Sequence, residues 1–301
     1  MKAKVILNPY ANRWNSQERW PEAKAALIHE GIPFEMVKSD KPRQIIELTK
    51  EAVEQGFSPI IAAGGDGTIG EVVNGMAKAS KSKDELFGPL GILPLGSAND
   101  LVDNLGLPKD IGEAAKVIAT GKTRKMDVGC VNGFYFANNS AIGLEPYITL
   151  KQEKINSIKV IMRYLVAAIQ GIWDNPQWNA SIEWDDGNYQ GPILLVSVGN
   201  SPRTGGVFFM APHADPFDGK LTFVHGYRKT RLQIFKLLPK TMKPDKGSFV
   251  EMEGIEELNT TWVKIKVDKP TPAHTDGEIF STDLTDFSYQ IFPQKLEIIL
   301  P

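Results

Sequence analysis

Residues 59–71 read Pro-Ile-Ile-Ala-Ala-Gly-Gly-Asp-Gly-Thr-Ile-Gly-Glu, three glycines set around one carboxylate. Gly64, Gly65 and Gly67 lack a Cβ, so phosphate oxygens can approach the backbone closely and positive φ costs little. Thr68 and Glu71 match the capping-box pattern of a helix start. A helix beginning there turns its unpaired N–H groups and positive dipole end toward the loop, where an anion is favoured. Asp66 is the odd member, because a carboxylate repels phosphate unless a divalent cation lies between them or a proton is to be removed. A loop that attracts phosphate and carries an acid suits phosphoryl transfer.

The blander readings are a capped helix and a tight strand-to-helix turn. Gly65-x-Gly67-x-x-Gly70 also matches the dinucleotide fingerprint, which expects an acid closing the next strand. Here Asp84 and Glu85 precede the next strand, at 89–93, so hydride transfer loses ground. No Gly-Lys-Ser or Gly-Lys-Thr sequence completes a Walker loop.

Three further segments carry chemistry. Residues 91–101 end a buried strand at Pro94 and turn through Gly96 and Ser97 into a polar helix start. Ser97 on its own reads as that helix's cap, with donation to a phosphate as the alternative. Asn12, after the first strand, can take the left-handed conformation almost as readily as glycine. Asp215 and Asp218, in a Pro/Gly loop, suit either a hard cation or an acidic β-turn. Asp276-Gly277 before Glu278 reads as an ordinary hairpin turn.

The elements that position these residues follow from the apolar pattern. Strands at 4–7, 34–37, 60–63 and 91–93 alternate with helices at 17–30, 43–55, 68–79 and 111–120. That alternation predicts a parallel sheet with helices on both faces and ligands at the strands' carboxyl ends. From about residue 127 short runs at 131–136, 180–184, 193–198, 221–225, 262–267 and 295–300 predict a β-sandwich-like half. Helices are expected there only near 155–173 and 230–239. The 155–173 stretch is interrupted by Lys159, Arg163 and Gln170, so it is read as an amphipathic helix on the core.

The whole chain narrows the classes. Its 301 residues allow two domains with real cores, and a net charge of −2 gives no global reason to expect nucleic acid. The single cysteine, Cys130, excludes an intrachain disulfide and sits among strand residues, so it reads as a buried thiol and not a nucleophile. A strand beginning at once from the N-terminus leaves no room for a signal peptide, and a cytosolic protein is expected.

Together these loops, in this order, resemble the diacylglycerol kinase catalytic-domain family, which includes the YegS-like lipid kinases and the sphingosine kinases. Residues 64–68 specify only the superfamily shared with NAD kinases and phosphofructokinases; residues 93–100 and 276–278 carry the lipid-kinase resemblance. The resemblance implies an ATP site lined by Asn8, Pro9, Asn12, Ser39, Gly64, Gly65, Asp66, Gly67, Thr68, Glu71 and Ser97. It implies a structural Mg²⁺ at Asp215, Asp218 and Lys220, the first and last through backbone carbonyls. It makes Glu278, or Asp66, the proton acceptor, and ties Asp66, Asp100 and Asp127 to a catalytic Mg²⁺. Spacing alone would make Asp127 an edge-strand charge. The chain departs from the family at Gly70, Ser97, Ser39 and Asn12, and none of these departures removes an acid the chemistry requires.

The expected architecture is an N-terminal Rossmann-like nucleotide-binding α/β domain over 1–127, rejoined by a tail at about 290–301, with a β-rich lipid- and metal-binding domain over 128–289. The expected reaction moves the ATP γ-phosphate to the hydroxyl of diacylglycerol or a related lipid entering between the domains. A basic, apolar-rich segment at 228–246 is a candidate for peripheral membrane contact, and a surface helix with a buried face is its plain alternative. An NAD kinase-like activity and a silent nucleotide-binding regulator are the rival readings. A homodimer is compatible with the sequence but not required by it.

Overall fold

Apolar runs bounded by Gly, Pro and Asn form the strands of the computed structural model, which describes residues 2–12, 15–82, 84–155 and 160–301. The chain divides into two compact units, 1–128 with 292–301, and 129–291.

The first unit alternates β1 (Ala3–Leu7), α1 (Asn15–His29), β2 (Phe34–Lys38), α2 (Gln44–Glu54), β3 (Ile60–Gly64), α3 (Asp66–Ala79), β4 (Phe87–Pro94), α4 (Asp100–Asn104) and α5 (Ile111–Thr120). β5 (Thr123–Val131) then leads out of it. The order β2-β1-β3-β4 is parallel throughout. The two-residue strand period sorts the side chains. Val5, Leu7, Ile61, Ala63 and Leu93 form one core with Ala23 and Leu27 of α1 and Ile111, Ala115 and Ile118 of α5. Ile6 and Ala62, equally buried, alternate with them and point to the other face, where α2 packs on β1 and α3 on β3. All five residues of β3 are buried, as its unbroken apolar run requires. The helices thus deliver the loops after β1, β3 and β4 to the strands' carboxyl ends.

The start of α3 differs from the capping-box expectation. Its cap is Gly65, without a side-chain hydrogen bond, and Thr68 is the third helical residue. The close passage of β3 explains this: a Cβ on Gly64 would lie 2.2 Å from Thr68 Oγ1. The Thr68 hydroxyl instead accepts from Asn8 Nδ2 at 3.0 Å.

The second unit comprises β6 (Phe134–Phe136), β7 (Asn139–Gly143), α6 (Leu144–Glu153), α7 (Val160–Asp174), β8 (Trp178–Trp184), β9 (Gly187–Ile193) and β10 (Leu195–Gly199). The two-residue strands β11 (Arg203–Thr204) and β12 (Phe208–Phe209) follow, then β13 (Leu221–Gly226), α8 (Arg231–Leu237), β14 (Ile255–Thr260), β15 (Trp262–Thr275) and the long β16 (Glu278–Ile299). Antiparallel pairing in the order β14-β13-β10-β7-β15-β16 covers a sandwich-like core that includes Phe136, Ile182, Phe223, Phe287 and Tyr289. The end of β16, in the first unit, runs parallel to β4.

Two further differences from expectation stand out. Residues 131–136 are not one strand, because Asn132 and Gly133 both adopt positive φ and turn β5 into β6. The helix α6 had no forecast: its mixed apolar and polar residues lack a sharp helical stripe. It begins where Gly143, at φ +86°, lets the chain leave β7 beside the Leu194 carbonyl. The forecast amphipathic helix appears as α7, while residues 156–159, Lys159 among them, lie outside the described residues. The inner face of α7 buries Ala167, Ala168 and Ile172, but Ile169 and Trp173 remain exposed.

Candidate functional site

Two loops of the first unit close on each other. A Cβ on Gly96 would stand 2.3 Å from the Gly65 Cα, so glycine at 96 is demanded by contact between two backbones. None of Gly64, Gly65 and Gly67 adopts positive φ, so close approach, not backbone torsion, is what glycine serves at 64 and 65. The loop after β4 is clamped by Asn99. Its Oδ1 accepts from the Gly96 N–H at 3.1 Å and its Nδ2 donates to the Gly96 carbonyl at 3.2 Å. Asn99, at φ +53°, is the cap residue of α4. Ser97 is therefore not the cap; it is exposed and donates to Asn12 Oδ1 at 2.7 Å.

Asp66 ties the same two loops together. Its Oδ1 accepts the Leu101 N–H at 2.9 Å, completing the first turn of α4 beside the buried Asp100. From β1, Asn8 reaches Thr68, Pro9 is buried, and Asn12 takes the left-handed conformation at φ +52°. The buried Ser39 follows β2 and joins its N–H to the Leu7 carbonyl. Glu71 lies half-buried one turn into α3. The amides of the first turn of α3, which no intrahelical carbonyl can reach, border this floor.

Asp127 lies on β5. It is 1% exposed, so the edge-strand reading is wrong, and its Oδ1 accepts the N–H of Gln294 at 2.6 Å. Gln294 has φ +52°, so Asp127 steadies an irregular point in the chain's last strand. On the same strand β5, burial pushes the Cys130 thiol up to about 11, the behaviour of an inert thiol.

In the second unit, Asp215 and Asp218 share one exposed turn. Asp215 Oδ1 accepts from the Phe217 N–H at 3.0 Å, and Asp218 Oδ1 accepts from the Lys220 N–H at 2.8 Å. Asp276 and Gly277 both have positive φ and form the tight turn that starts β16 at Glu278. That turn is more than ordinary. The buried Asp276 carboxylate accepts three successive backbone amides, Ala137, Asn138 and Asn139, at 2.9–3.0 Å. Spacing could not reveal this clamp, because its partners are about 138 residues away.

The second unit also holds an apolar cleft, lined among others by Leu144, Ala168, Ile172, Leu194, Ile234 and Leu237. An apolar lining with a few polar groups suits a largely hydrophobic ligand. Sequence reasoning missed it, since its walls come from many separated segments. Among the described residues no helix is long and apolar enough to cross a membrane.

Comparison with known proteins now decides among kinases. Residues 2–131 match the diacylglycerol kinase catalytic domain family, and residues 140–300 match the YegS C-terminal NAD kinase beta sandwich-like domain family. A probable YegS-like lipid kinase of Chromohalobacter salexigens is 33% identical over 242 residues, 77% of this chain and 73% of its own. The chain belongs to the diacylglycerol kinase family. A diacylglycerol kinase of Staphylococcus epidermidis is 32% identical over 226 residues, 74% of this chain and 69% of its own. A solved Bacillus anthracis structure assigned to the diacylglycerol kinases superposes with a TM-score of 0.79 at 25% identity, covering 100% of this chain and 97% of the other. As a member of this family the chain is an ATP-dependent lipid kinase, with a parallel-sheet α/β half and a β-sandwich half.

Proposed function

We propose that this kinase transfers the γ-phosphate of ATP to the hydroxyl of diacylglycerol or a closely related lipid, with the nucleotide on the first unit and the acyl chains in the cleft of the second. The observation that carries the nucleotide half is the side-chain-free contact of Gly65 with Gly96, held by Asn99 and Asp66. It leaves backbone amides and short polar groups facing the phosphates. Asn8, Pro9, Asn12, Ser39, Gly64, Gly65, Gly67, Thr68, Glu71 and Ser97 line that site in this reading.

Asp66, Asp100 and Asp127 would hold the catalytic Mg²⁺ with the help of water and carbonyl oxygens, and Glu278 would take the proton of the lipid hydroxyl. Asp66 Oδ1 is already engaged by Leu101, which favours Glu278 as the base. The second cation, at Asp215, Asp218 and Lys220, is structural. The donors fit such an ion: two exposed carboxylates, fixed by backbone N–H groups, stand in a turn rich in carbonyl oxygens. Among the described residues no three His, Cys, Asp or Glu side chains group to hold a metal, so carbonyls and water must complete either shell. Bound Mg²⁺ supplies charge neutralisation for a step that depends mainly on positioning and electrostatics.

Contact with the inner face of an anionic membrane completes the reading. Trp173 of α7 and Leu232 of α8 are each 67% exposed, and Arg231 sits 5.5 Å over the Trp173 ring. Lys229, Lys236, Lys240, Lys243 and Lys246 add cations along the same chain segment, each worth roughly 1 kcal/mol near an anionic surface. The fold is compatible with a homodimer, and no step of this mechanism requires one.

The test is incubation of the full chain with Mg²⁺, γ-labelled ATP, and either dioctanoylglycerol or NAD. Label extracted with the lipid supports the reading; label in NAD, or in neither acceptor, refutes it.

A further inference from the structure

The candidate base stands on a hairpin corner. Asp276 and Gly277, both at positive φ, are its two central residues, and Thr275 of β15 pairs with Glu278 of β16 across it. A Cβ on Gly277 would meet nothing within 4 Å, and Glu278 is exposed, so little packing fixes the outer side of this corner. Its inner side is held by the irregular segment 137–139, between β6 and β7. The N–H groups of Asn138 and Asn139 donate to Asp276 Oδ1, and that of Ala137 donates to Oδ2. In return the Asn139 carbonyl accepts the Asp276 N–H at 2.8 Å.

The loop after β10 takes up the rest of the segment. Asn200 Nδ2 donates to the Ala137 carbonyl at 2.8 Å, and the Asn200 and Ser201 N–H groups both donate to the Asn138 carbonyl at 2.9 Å. Every backbone N–H and C=O of residues 137–139 is thus engaged, and Ala137, Asn138, Asn139, Asn200, Ser201 and Asp276 are all buried. A buried backbone group left unpaired is costly, so this frame favours one arrangement. The turn itself does not need a carboxylate, because Asn-Gly serves it as well as Asp-Gly. An acceptor with two oxygens at 276 serves the three amides instead. The frame also reaches the cleft: Asn139 Nδ2 donates to Glu145 Oε1 at 3.2 Å, and His274 Nε2 lies 3.1 Å from the same oxygen.

We propose that Asp276 and Asn200 are positioning residues for Glu278: by tying the corner to residues 137–139 they set where the Glu278 carboxylate stands when the lipid hydroxyl arrives. Neither side chain touches the reacting atoms in this role, and each acts through the backbone it holds. This inference rests on the reading of Glu278 as the proton acceptor.

The test is a double-variant cycle on the full chain, read as kcat for dioctanoylglycerol with Mg²⁺ and labelled ATP. Asp276→Asn keeps the size and the turn preference of the residue but sets an N–H₂ group against an amide N–H. Alone it is expected to lower kcat about tenfold or more, the scale of a small misplacement, with KM for ATP within about twofold of wild type. In a Glu278→Ala background no base remains to be misplaced, and the same change is expected to lower kcat by less than about twofold further. A merely structural role would give the same loss in both backgrounds. Asn200→Ala removes only the bond to the Ala137 carbonyl; it is expected to repeat the pattern with a loss of about threefold or more, and it decides the matter if Asp276→Asn does not fold. A loss that recurs undiminished beside Glu278→Ala, or single variants with wild-type kcat, overturns the positioning role and leaves Glu278 as the base. Wild-type kcat in Glu278→Ala alone removes the base reading and this inference with it.

Discussion

The glycine turn of the first unit and the apolar cleft of the second are built on opposite principles. The turn is made of backbone: Gly65 and Gly96 touch because neither has a side chain, and Asn99, Asn12 and Asp66 bind main-chain or short polar groups across it. The cleft is made of side chains from many segments, with a polar cluster of Glu145, His274 and Asn139 at its wall. A backbone site tolerates few residue types and so leaves a short, dense signature. A side-chain cleft accepts any apolar residue of fitting size, and its signature is dispersed.

The sharpest break of that comparison is at the acids. Glu278→Ala is expected to lower kcat for lipid phosphorylation by about 10²- to 10⁴-fold, the usual worth of a general base, with nucleotide affinity unchanged by calorimetry. Asp66→Ala is expected to match that loss and also to destabilise the protein by about 1 kcal/mol in urea melts, because the Leu101 N–H loses its acceptor. Equal stability of the two variants would deny Asp66 its capping role.

Gly96→Ala probes the backbone contact directly. The added Cβ, 2.3 Å from the Gly65 Cα, must push the loops apart. Overpacking of this kind costs about 1–3 kcal/mol. Affinity for an ATP analogue should fall at least tenfold while affinity for dioctanoylglycerol stays within twofold. A parallel loss of both would show that the two sites are not separately built.

A double variant, Trp173→Ala with Leu232→Ala, addresses the outer faces of α7 and α8. Sedimentation with anionic vesicles should drop several-fold. Stability should move by only about 0.5 kcal/mol per site, as for surface residues. Unchanged sedimentation would remove this face from membrane contact.

The smallest effect concerns the second unit's core. His225 is buried against Trp184, Tyr189 and Phe223, and this burial holds its imidazole below the usual range despite the Glu256 carboxylate 3.5 Å away. The unfolded chain therefore takes up the proton first as pH falls. Stability is present above about 6.5, the unfolded value, and declines below it. His225→Phe should flatten the pH dependence of the urea midpoint between about 5 and 7; an unaltered slope would place the effect elsewhere.

Sequence legibility follows the same division. The parallel alternation of β1 to α5 was readable because strands buried on both faces are continuous apolar runs flanked by glycine and proline. The left-handed Asn12 was readable from residue type alone. Thr68 and Ser97 misled as helix caps because capping patterns describe spacing, and the close passage of β3 and the Asn99 clamp moved both helix starts. Asp127 misled because a lone acid in a strand looks exposed until its partner, Gln294, is brought up from the far end of the chain. The Asp276 clamp and the Glu145 cluster were invisible, since each depends on contacts between residues more than 120 positions apart.

The most direct measurement is a crystal structure of the full chain with Mg²⁺, a non-hydrolysable ATP analogue and dioctanoylglycerol. The account predicts phosphates against residues 64–68 and 96–97 and acyl chains among Leu144, Ile172 and Ile234. A nucleotide bound away from the glycine turn, or a lipid lying outside an empty cleft, would contradict it.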